Sequence, residues 1–225
     1  MRTSFGLALA VTLALVPSAL SQNSPAAGSP RAKIEFEDGQ IRLLHARVVV
    51  CITEMHVLTT LANGETQELT CKPGESRWSE PVTHSVENLA DAPFEVVEIE
   101  LKQASSPGVN VPLSAPSASP LTEPVPVEKE PHHHVVFQNQ YVRVLNVFFP
   151  VGEVSLFHTH SNDNIGIPIS GDKSQAQPQG GDWSEPQDVR PGAAGFRKAH
   201  GQAYTHRVRS AGKLPFHVID VEIFP

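Results

Sequence analysis

The segment between Gly152 and Gly171 constrains the fold of this chain more than any other. Its pattern is that of two β-strands joined by a polar turn. One residue separates His158 from His160, so at the two-residue period of a strand both imidazoles leave the same face. Neutral imidazole is the commonest side-chain ligand for divalent transition metals. The spacing therefore predicts that the two rings converge on one metal ion.

The same segment resembles the first motif of the cupin superfamily. That motif combines a glycine, a His-x-His pair, an acidic ligand and a second glycine at fixed spacing, and four residues match it without a gap: Gly152, His158, His160 and Gly171. Asn164 stands where the motif usually has a metal-binding glutamate. The resemblance thus implies a neutral and weaker fourth ligand at this position.

A second cupin motif supplies one more histidine, and residues 195–210 resemble it through Gly195 and His206. The resemblance implies a metal site made of His158, His160 and His206, with Asn164 beside them. Three imidazoles and open positions suit Fe(II), Mn(II), Ni(II), Cu(II) or Zn(II), so the identity of the metal stays open.

The two halves of the chain repeat each other. Residues 83–100 align without a gap with residues 205–222. Four residues near the start of the first half also have counterparts in the second, namely Phe36, Ile41, Arg42 and Leu44 against Phe137, Val142, Arg143 and Leu145. Short alternating segments separated by Gly, Asn-Gly and Pro turns favour strands. The expected fold class is all-β, with two tandem cupin-like jelly-roll barrels.

The two halves differ in chemistry. His84 keeps the position of His206, but the first half has no His-x-His pair. One histidine does not hold a catalytic metal, so the first barrel is predicted to be degenerate and structural. If the turn at Asn63-Gly64 corresponds to the turn at Ser170-Gly171, Cys51 takes the place of the first motif histidine.

Residues 1–21 have the features of a secretory signal peptide. Arg2 precedes an apolar run from Phe5 to Val16, and small residues lead up to Ser21. The apolar run is shorter than the roughly 20 residues that a bilayer span needs. The sequence therefore predicts an extracytoplasmic protein, periplasmic or secreted, without a membrane span.

Composition divides the chain after residue 21 into two low-complexity segments and two candidate domains. Residues 22–32 and 104–131 are rich in Ser, Pro, Ala and Gly, which predicts a disordered lead-in and a semi-rigid linker. The barrels are accordingly expected over residues 33–103 and 132–225. Cys51 and Cys71 either form a disulfide in an oxidising compartment or lie buried as free thiols.

Charge excludes one class of partner. The chain has 17 Lys and Arg against 24 Asp and Glu, a net charge of −7, and its basic residues do not cluster. Nucleic acid is therefore not an expected partner. The expected partner is a small-molecule ligand or substrate, and because cupins often dimerise, the resemblance also implies a homodimer.

Other polar residues near the motifs have weaker interpretations. His132, His133 and His134 are expected at a solvated strand entry, with a secondary metal site as the alternative. Trp183 lies in the polar loop between the motifs and either covers the mouth of the site or anchors the loop. Arg197 faces either the barrel interior, where it would meet an anionic substrate, or solvent.

Two functions remain open from the sequence. The intact His-x-His pair favours a metal-dependent enzyme, a dioxygenase or isomerase that acts on a small molecule. The neutral Asn164 favours a non-catalytic extracytoplasmic cupin that binds a small ligand or serves a structural role. Fold does not decide between them, because cupins include both kinds of protein.

Overall fold

A computed structural model describes residues 8–15, 32–34, 46–101, 123–199 and 202–224. The chain divides into two compact units, unit 1 over Met1–Gln103 and unit 2 over Ala104–Pro225. The regular structure of the described residues is strand, apart from one short 3-10 helix at Val127–Lys129. None of these residues forms a helix long and apolar enough to cross a membrane. The predicted all-β class is confirmed.

Unit 1 contains two antiparallel sheets. Its strands are β1 (Ala8–Leu15), β2 (Ala32–Ile34), β3 (Arg47–Cys51), β4 (Met55–Leu61), β5 (Thr66–Cys71), β6 (Ser76–Ser79), β7 (His84–Asn88) and β8 (Phe94–Leu101). The larger sheet has the order β2-β1-β8-β3-β6, and the smaller has the order β5-β4-β7.

Unit 2 also contains two sheets. Its strands are β9 (Val125–Pro126), β10 (His133–Gln138), β11 (Val142–Phe149), β12 (His158–His160), β13 (Asp163–Ser170), β14 (Lys173–Pro178), β15 (Gln187–Asp188), β16 (Gly195–Arg197), β17 (Tyr204–Ser210) and β18 (Phe216–Ile223). The sheet orders are β10-β11-β18-β13-β16 and β15-β14-β17-β12-β9. β9 pairs with β12, so unit 2 begins inside the range 104–131 that was predicted as linker.

Alternation of apolar residues builds the core of each unit. In β8, Phe94 and Val96 are two residues apart and face the core cluster of unit 1 together, whereas Val97 and Ile99 are buried on the opposite face of the strand. In unit 2, Leu145 and Phe149 of β11 pack with Phe216 of β18. Burial of a large apolar side chain contributes about 1.5–3 kcal/mol, so these residues stabilise the two-sheet arrangement on which the site depends.

A disulfide links the ends of β3 and β5. Cys51 and Cys71 are bonded, with their Cα atoms 6.3 Å apart. Both side chains are buried in the core of unit 1 beside Met55 and Phe94. Of the two roles that the sequence left open for these cysteines, the structure shows the disulfide.

Two hairpins show how the units correspond. Gly64 N–H donates to Leu61 O as Gly181 N–H donates to Pro178 O. Leu61 pairs with His84, as Pro178 pairs with His206. The turn at residues 63–64 therefore corresponds to the turn at residues 180–181 and not to Ser170-Gly171, because β4 aligns with β14.

This alignment corrects the position expected for Cys51. Cys51 pairs with Val96 of β8, as Pro168 pairs with Val218 of β18. Cys51 thus corresponds to a residue of β13 and not to His158. The counterpart of β12 precedes Arg47, in a part of the chain outside the described residues.

The apolar N-terminal segment forms a strand. β1 lies between β2 and β8, the place that β11 takes between β10 and β18 in unit 2. All eight residues of β1 pair with β8. Cleavage of a signal peptide after about residue 21 would remove this strand. The signal peptide stays a prediction, and residues 35–45, which align with the region around β11, lie outside the described residues.

Candidate metal centre

Two neighbouring strands bring the three predicted histidines together. His158 and His160 lie on β12, and His206 lies on β17 directly opposite His158. One nitrogen from each ring lies within 4.8 Å of the corresponding nitrogens of the other two. The glycines that bound the motif both have positive φ, 80° at Gly152 and 139° at Gly171, a conformation that side chains disfavour.

Two of the three imidazoles are buried, the third, His206, is partly buried, and all three are incompletely hydrogen-bonded. His158 is 0% exposed and His160 is 4% exposed. A buried nitrogen on each ring has no hydrogen-bond partner among the described residues, namely Nε2 of His158, Nδ1 of His160 and Nε2 of His206. Buried polar atoms are normally paired, and unpaired ones cost about 1–3 kcal/mol each. The free Nε2 lone pairs of His158 and His206 therefore fit a divalent transition metal, whereas the unpaired Nδ1 of His160 faces Asp220.

Local contacts orient His158 for that role. Its Nδ1 lies 3.0 Å from Leu156 O, so Nδ1 carries the proton and Nε2 keeps its lone pair. Burial lowers the pKa of His158 far below its usual value. Burial, followed by the charge of His160, lowers the pKa of His206 to about 3. Both rings are neutral near pH 7, which is the form that binds metal.

β13 holds Asn164 between two charged side chains. Its Nδ2 donates to Asp220 Oδ1 at 2.8 Å, and its Oδ1 accepts from Arg197 Nε at 3.1 Å. The preceding Asp163 accepts a hydrogen bond from the backbone N–H of Ala199 at 2.6 Å. Asn164 thus has protein partners at both ends of its amide, and its role as a fourth ligand stays a prediction.

Two acids of β18 lie behind His160. Asp220 Oδ2 is 3.5 Å and Glu222 Oε1 is 3.7 Å from His160 Nδ1, outside hydrogen-bond geometry. Glu222 accepts from Arg143 Nη1 at 2.8 Å, whereas Asp220 Oδ2 has no hydrogen-bond partner. Sequence analysis missed these acids, although their alternation in β18 marked one face of that strand.

A buried carboxylate supports the other side of the site. Glu130 accepts hydrogen bonds from Nδ1 of His133 at 2.6 Å, Nδ1 of His132 at 3.0 Å and the backbone N–H of Leu156 at 3.0 Å. Burial acts to raise the pKa of Glu130, but the hydrogen bonds from His133 and His132 outweigh it and lower the pKa to about 2. Glu130 thus holds the backbone N–H of Leu156, the residue whose carbonyl accepts the hydrogen bond from His158.

The environment of His133 differs from the solvated strand entry expected for residues 132–134. His133 is buried, and its ring centroid lies 4.4 Å from that of His158. His132 is half-buried, and only His134 of the three is exposed. The expectation was wrong for His133, because its side chain is buried together with that of Glu130, an acid three residues earlier with which it pairs.

Arg197 lies beside the site and Trp183 lies away from it. The Arg197 guanidinium is 4.8 Å from the centroid of the Tyr204 ring, and its charge contributes to lowering the pKa of His206. Trp183 packs against Arg207 and Arg209, which alternate with His206 along β17 and so face the other side. Of the two roles left open for Trp183, the contacts favour anchoring the loop.

Unit 1 has a different set of residues at the corresponding place. Arg47 pairs with Glu100 as Asn164 pairs with Glu222, so the two residues correspond. The Nη2 atom of Arg47 lies 3.2 Å from Nε2 of His84. Among the described residues, His158, His160 and His206 form the one cluster with metal-ligand spacing. Unit 1 therefore has a guanidinium where unit 2 has the amide of Asn164.

Comparison with known proteins gives a likeness of fold. No family model matches the sequence. No curated protein matches it either. AerE from Microcystis aeruginosa is 11% identical, with a TM-score of 0.54 over 81% of this chain and 79% of AerE. A single-residue variant of oxalate decarboxylase from Bacillus subtilis is 13% identical, with a TM-score of 0.51 over 80% of this chain.

The matches differ in extent. The chain spans 63% of the length of oxalate decarboxylase, which has a cupin fold. A cupin domain from Bordetella pertussis is 22% identical over 41% of this chain and 92% of its own, with a TM-score of 0.37. At these identities the likeness concerns the fold. The sheets of the two units and the matches with TM-scores above 0.5 confirm the resemblance found in the sequence: the chain has the cupin fold, in two tandem copies.

Proposed function

We propose that unit 2 binds a divalent transition metal through His158, His160 and His206 and acts there on a small anionic molecule. The observation that supports the metal most directly is that one ligand atom of each of the three rings lies within 4.8 Å of the others, with Nε2 of His158 and Nε2 of His206 buried and unpaired. A bound ion would supply Lewis-acid or redox chemistry at this point. Mn(II), Fe(II), Ni(II), Cu(II) and Zn(II) remain candidates, and oxalate decarboxylase, a similar structure, has Mn(II) centres.

The anionic class of substrate rests on Arg197. Its guanidinium lies between Asn164 and the Tyr204 ring, next to the histidines. A planar guanidinium binds carboxylates in a bidentate geometry that a lysine does not offer. Arg197 would orient one carboxylate or other oxyanion of the substrate. Because neutral histidines do not offset the positive charge of the ion, the ion would attract a second oxygen of the substrate. The enzyme class that follows is a dioxygenase or an isomerase.

The second candidate is a non-catalytic extracytoplasmic protein that binds a small ligand. Asn164 favours it, because its amide already has Asp220 and Arg197 as partners and brings no charge to the ion. The Cys51–Cys71 disulfide supports an oxidising compartment under either function. A homodimer is part of the proposal through the cupin resemblance alone.

Metal analysis of the full chain, purified without chelators or affinity metals, tests the proposal. We expect about one transition-metal ion per chain, and a loss of that ion in the His158→Ala variant. Oxygen consumption and product analysis with small carboxylic acids then separate the two candidates. Stoichiometric metal with no turnover and a saturable carboxylate-induced stabilisation would favour the binding protein. A metal-free chain would contradict the metal site and leave the non-catalytic or structural candidate.

A further inference from the structure

The two units place an acid at the same position of their last strand. Glu98 of β8 pairs with Val49 of β3, and Asp220 of β18 pairs with Gly166 of β13. Two residues before Val49 and Gly166 on their strands lie Arg47 and Asn164, which correspond as described above. The repeat therefore allows the environments of Glu98 and Asp220 to be compared within one chain.

In unit 1 the acid faces a cation. Arg47 Nε lies 3.7 Å from Glu98 Oε1, and the Nη2 of the same guanidinium lies 3.2 Å from Nε2 of His84. The guanidinium thus contacts both the acid and the histidine that corresponds to His206. Its positive charge compensates the carboxylate in a partly buried place.

Among the described residues of unit 2, no arginine or lysine contacts the corresponding acid in this way. Asp220 is 5% exposed, its Oδ1 accepts from the neutral Asn164, and its Oδ2 has no hydrogen-bond partner. The neighbouring Glu222 differs, because Arg143 donates to it. Burial of a carboxylate without a compensating charge is costly.

We propose that Asp220 is the anionic partner of the metal in unit 2, positioned behind His160. Its Oδ2 is 3.5 Å from His160 Nδ1 without a hydrogen bond between them, and in this proposal the two atoms approach to hydrogen-bond distance when Nε2 of that ring binds the ion. Asp220 is a positioning residue, since it acts through His160. The inference rests on the proposed function, because it needs a metal at the three histidines.

The internal comparison explains why the charge is needed. Three neutral imidazoles and a neutral Asn164 leave a divalent ion without an anionic ligand. Asp220 supplies one negative charge close to His160, and the ion in turn supplies the positive charge that Arg47 supplies to Glu98. In this proposal, a guanidinium compensates the partly buried carboxylate in unit 1, and a metal ion compensates the corresponding carboxylate in unit 2.

The Asp220→Asn substitution in the full chain tests this role. The dissociation constants for Mn²⁺ and Zn²⁺, measured by competition with a chelator dye, should rise by about 10–100-fold, the range for losing an outer partner of a metal ligand. The Tm of the metal-free variant should rise above that of the metal-free parent, because the unpaired buried charge is removed. Glu98→Gln is the matched control, and it should leave the dissociation constants unchanged and lower the Tm.

The outcomes separate the inference from the proposed function. If the parent binds no metal, the proposed function and the inference both fail. If the parent binds metal and Asp220→Asn binds it equally well, only the inference fails. A lower Tm of the metal-free variant together with unchanged dissociation constants would show a purely structural Asp220 and would also overturn the inference.

A second variant copies the residues of unit 1 into unit 2. Arg47 pairs with Ser79, as Asn164 pairs with Arg197. The double substitution Asn164→Arg with Arg197→Ser should place a guanidinium near Asp220 in the manner of Arg47. We expect a higher Tm for the metal-free protein and a Zn²⁺ affinity weaker by about 10-fold or more, the loss that removal of an outer partner causes. Retention of the parent's affinity would contradict the idea that guanidinium and metal are alternatives.

Discussion

His158 and His206 lie directly opposite each other on the antiparallel strands β12 and β17, with their ring centroids 4.5 Å apart. The backbone ladder between these strands sets their separation, so it does not depend on a loop. His160 is two residues further along β12 and faces the same interior. A rigid pair of strands therefore holds three imidazoles at a common point before any ion binds.

Loss of a ligand from the facing strand should abolish tight metal binding. We expect His206→Ala to weaken metal affinity by more than about 100-fold, beyond the effect of losing an outer partner. Metal content after dialysis measures this directly. His84→Ala, at the corresponding position of unit 1, and His134→Ala, at an exposed position of β10, are the controls and should keep full occupancy. Full occupancy in the His206→Ala variant would contradict the site.

The disulfide should stabilise unit 1 and leave the metal centre unaffected. Cys51 and Cys71 are 20 residues apart in sequence, and closing a loop of this size contributes about 3 kcal/mol. The double variant Cys51→Ser with Cys71→Ser should therefore unfold at a lower denaturant concentration, in the transition that reports on unit 1. Its metal content should equal that of the parent. Equal stability with and without a reducing agent would contradict this prediction.

Glu130 should make stability depend on pH in the acid range. Its pKa of about 2 in the folded chain lies below the ordinary value of 4.5, so the carboxylate stabilises the fold fully above pH 4.5. That contribution is lost as the pH falls from 4.5 towards 2. We expect Glu130→Gln to lower the free energy of unfolding at pH 7 by about 3 kcal/mol, as when a buried pair is broken.

Denaturant titrations at pH 7 and pH 3 measure this effect. The difference between Glu130→Gln and the parent should shrink at pH 3, where the parent begins to lose its own carboxylate contribution. Glu153→Gln is a suitable control, because Glu153 also accepts from His132 but is exposed. A constant difference between pH 7 and pH 3 would show that Glu130 does not titrate with folding.

Export should remove the first strand. If residues 1–21 are a cleaved signal, the mature chain begins near Gln22 and lacks β1, which pairs with β8 along its whole length. N-terminal sequencing of protein recovered from outside the cytoplasm checks the cleavage. An intact Met1 on a cytoplasmic protein would contradict the predicted localisation.

The local pattern of residues was sufficient to predict the β-class and the three histidines that the structure brings together. His158 and His160 share a face because of the two-residue period of a strand, and the gapless repeat of residues 83–100 in residues 205–222 predicted equivalent strands in the two units. The spacing of Gly152 and Gly171 around the pair was sufficient to suggest a cupin. These features depend on residues that are close together in the sequence, so a sequence pattern is sufficient to predict them.

Only the tertiary structure decided which residues meet across strands. Asp220 and Glu130 lie far from the histidines in sequence, and only the pairing of strands and the burial around them bring these carboxylates to the site. The correspondence of Arg47 with Asn164 likewise depends on strand register, which the turn at Ser170-Gly171 suggested wrongly. Register and burial are cooperative properties of the whole sheet, so the charge that surrounds the three histidines was decided by the fold and not by the motif.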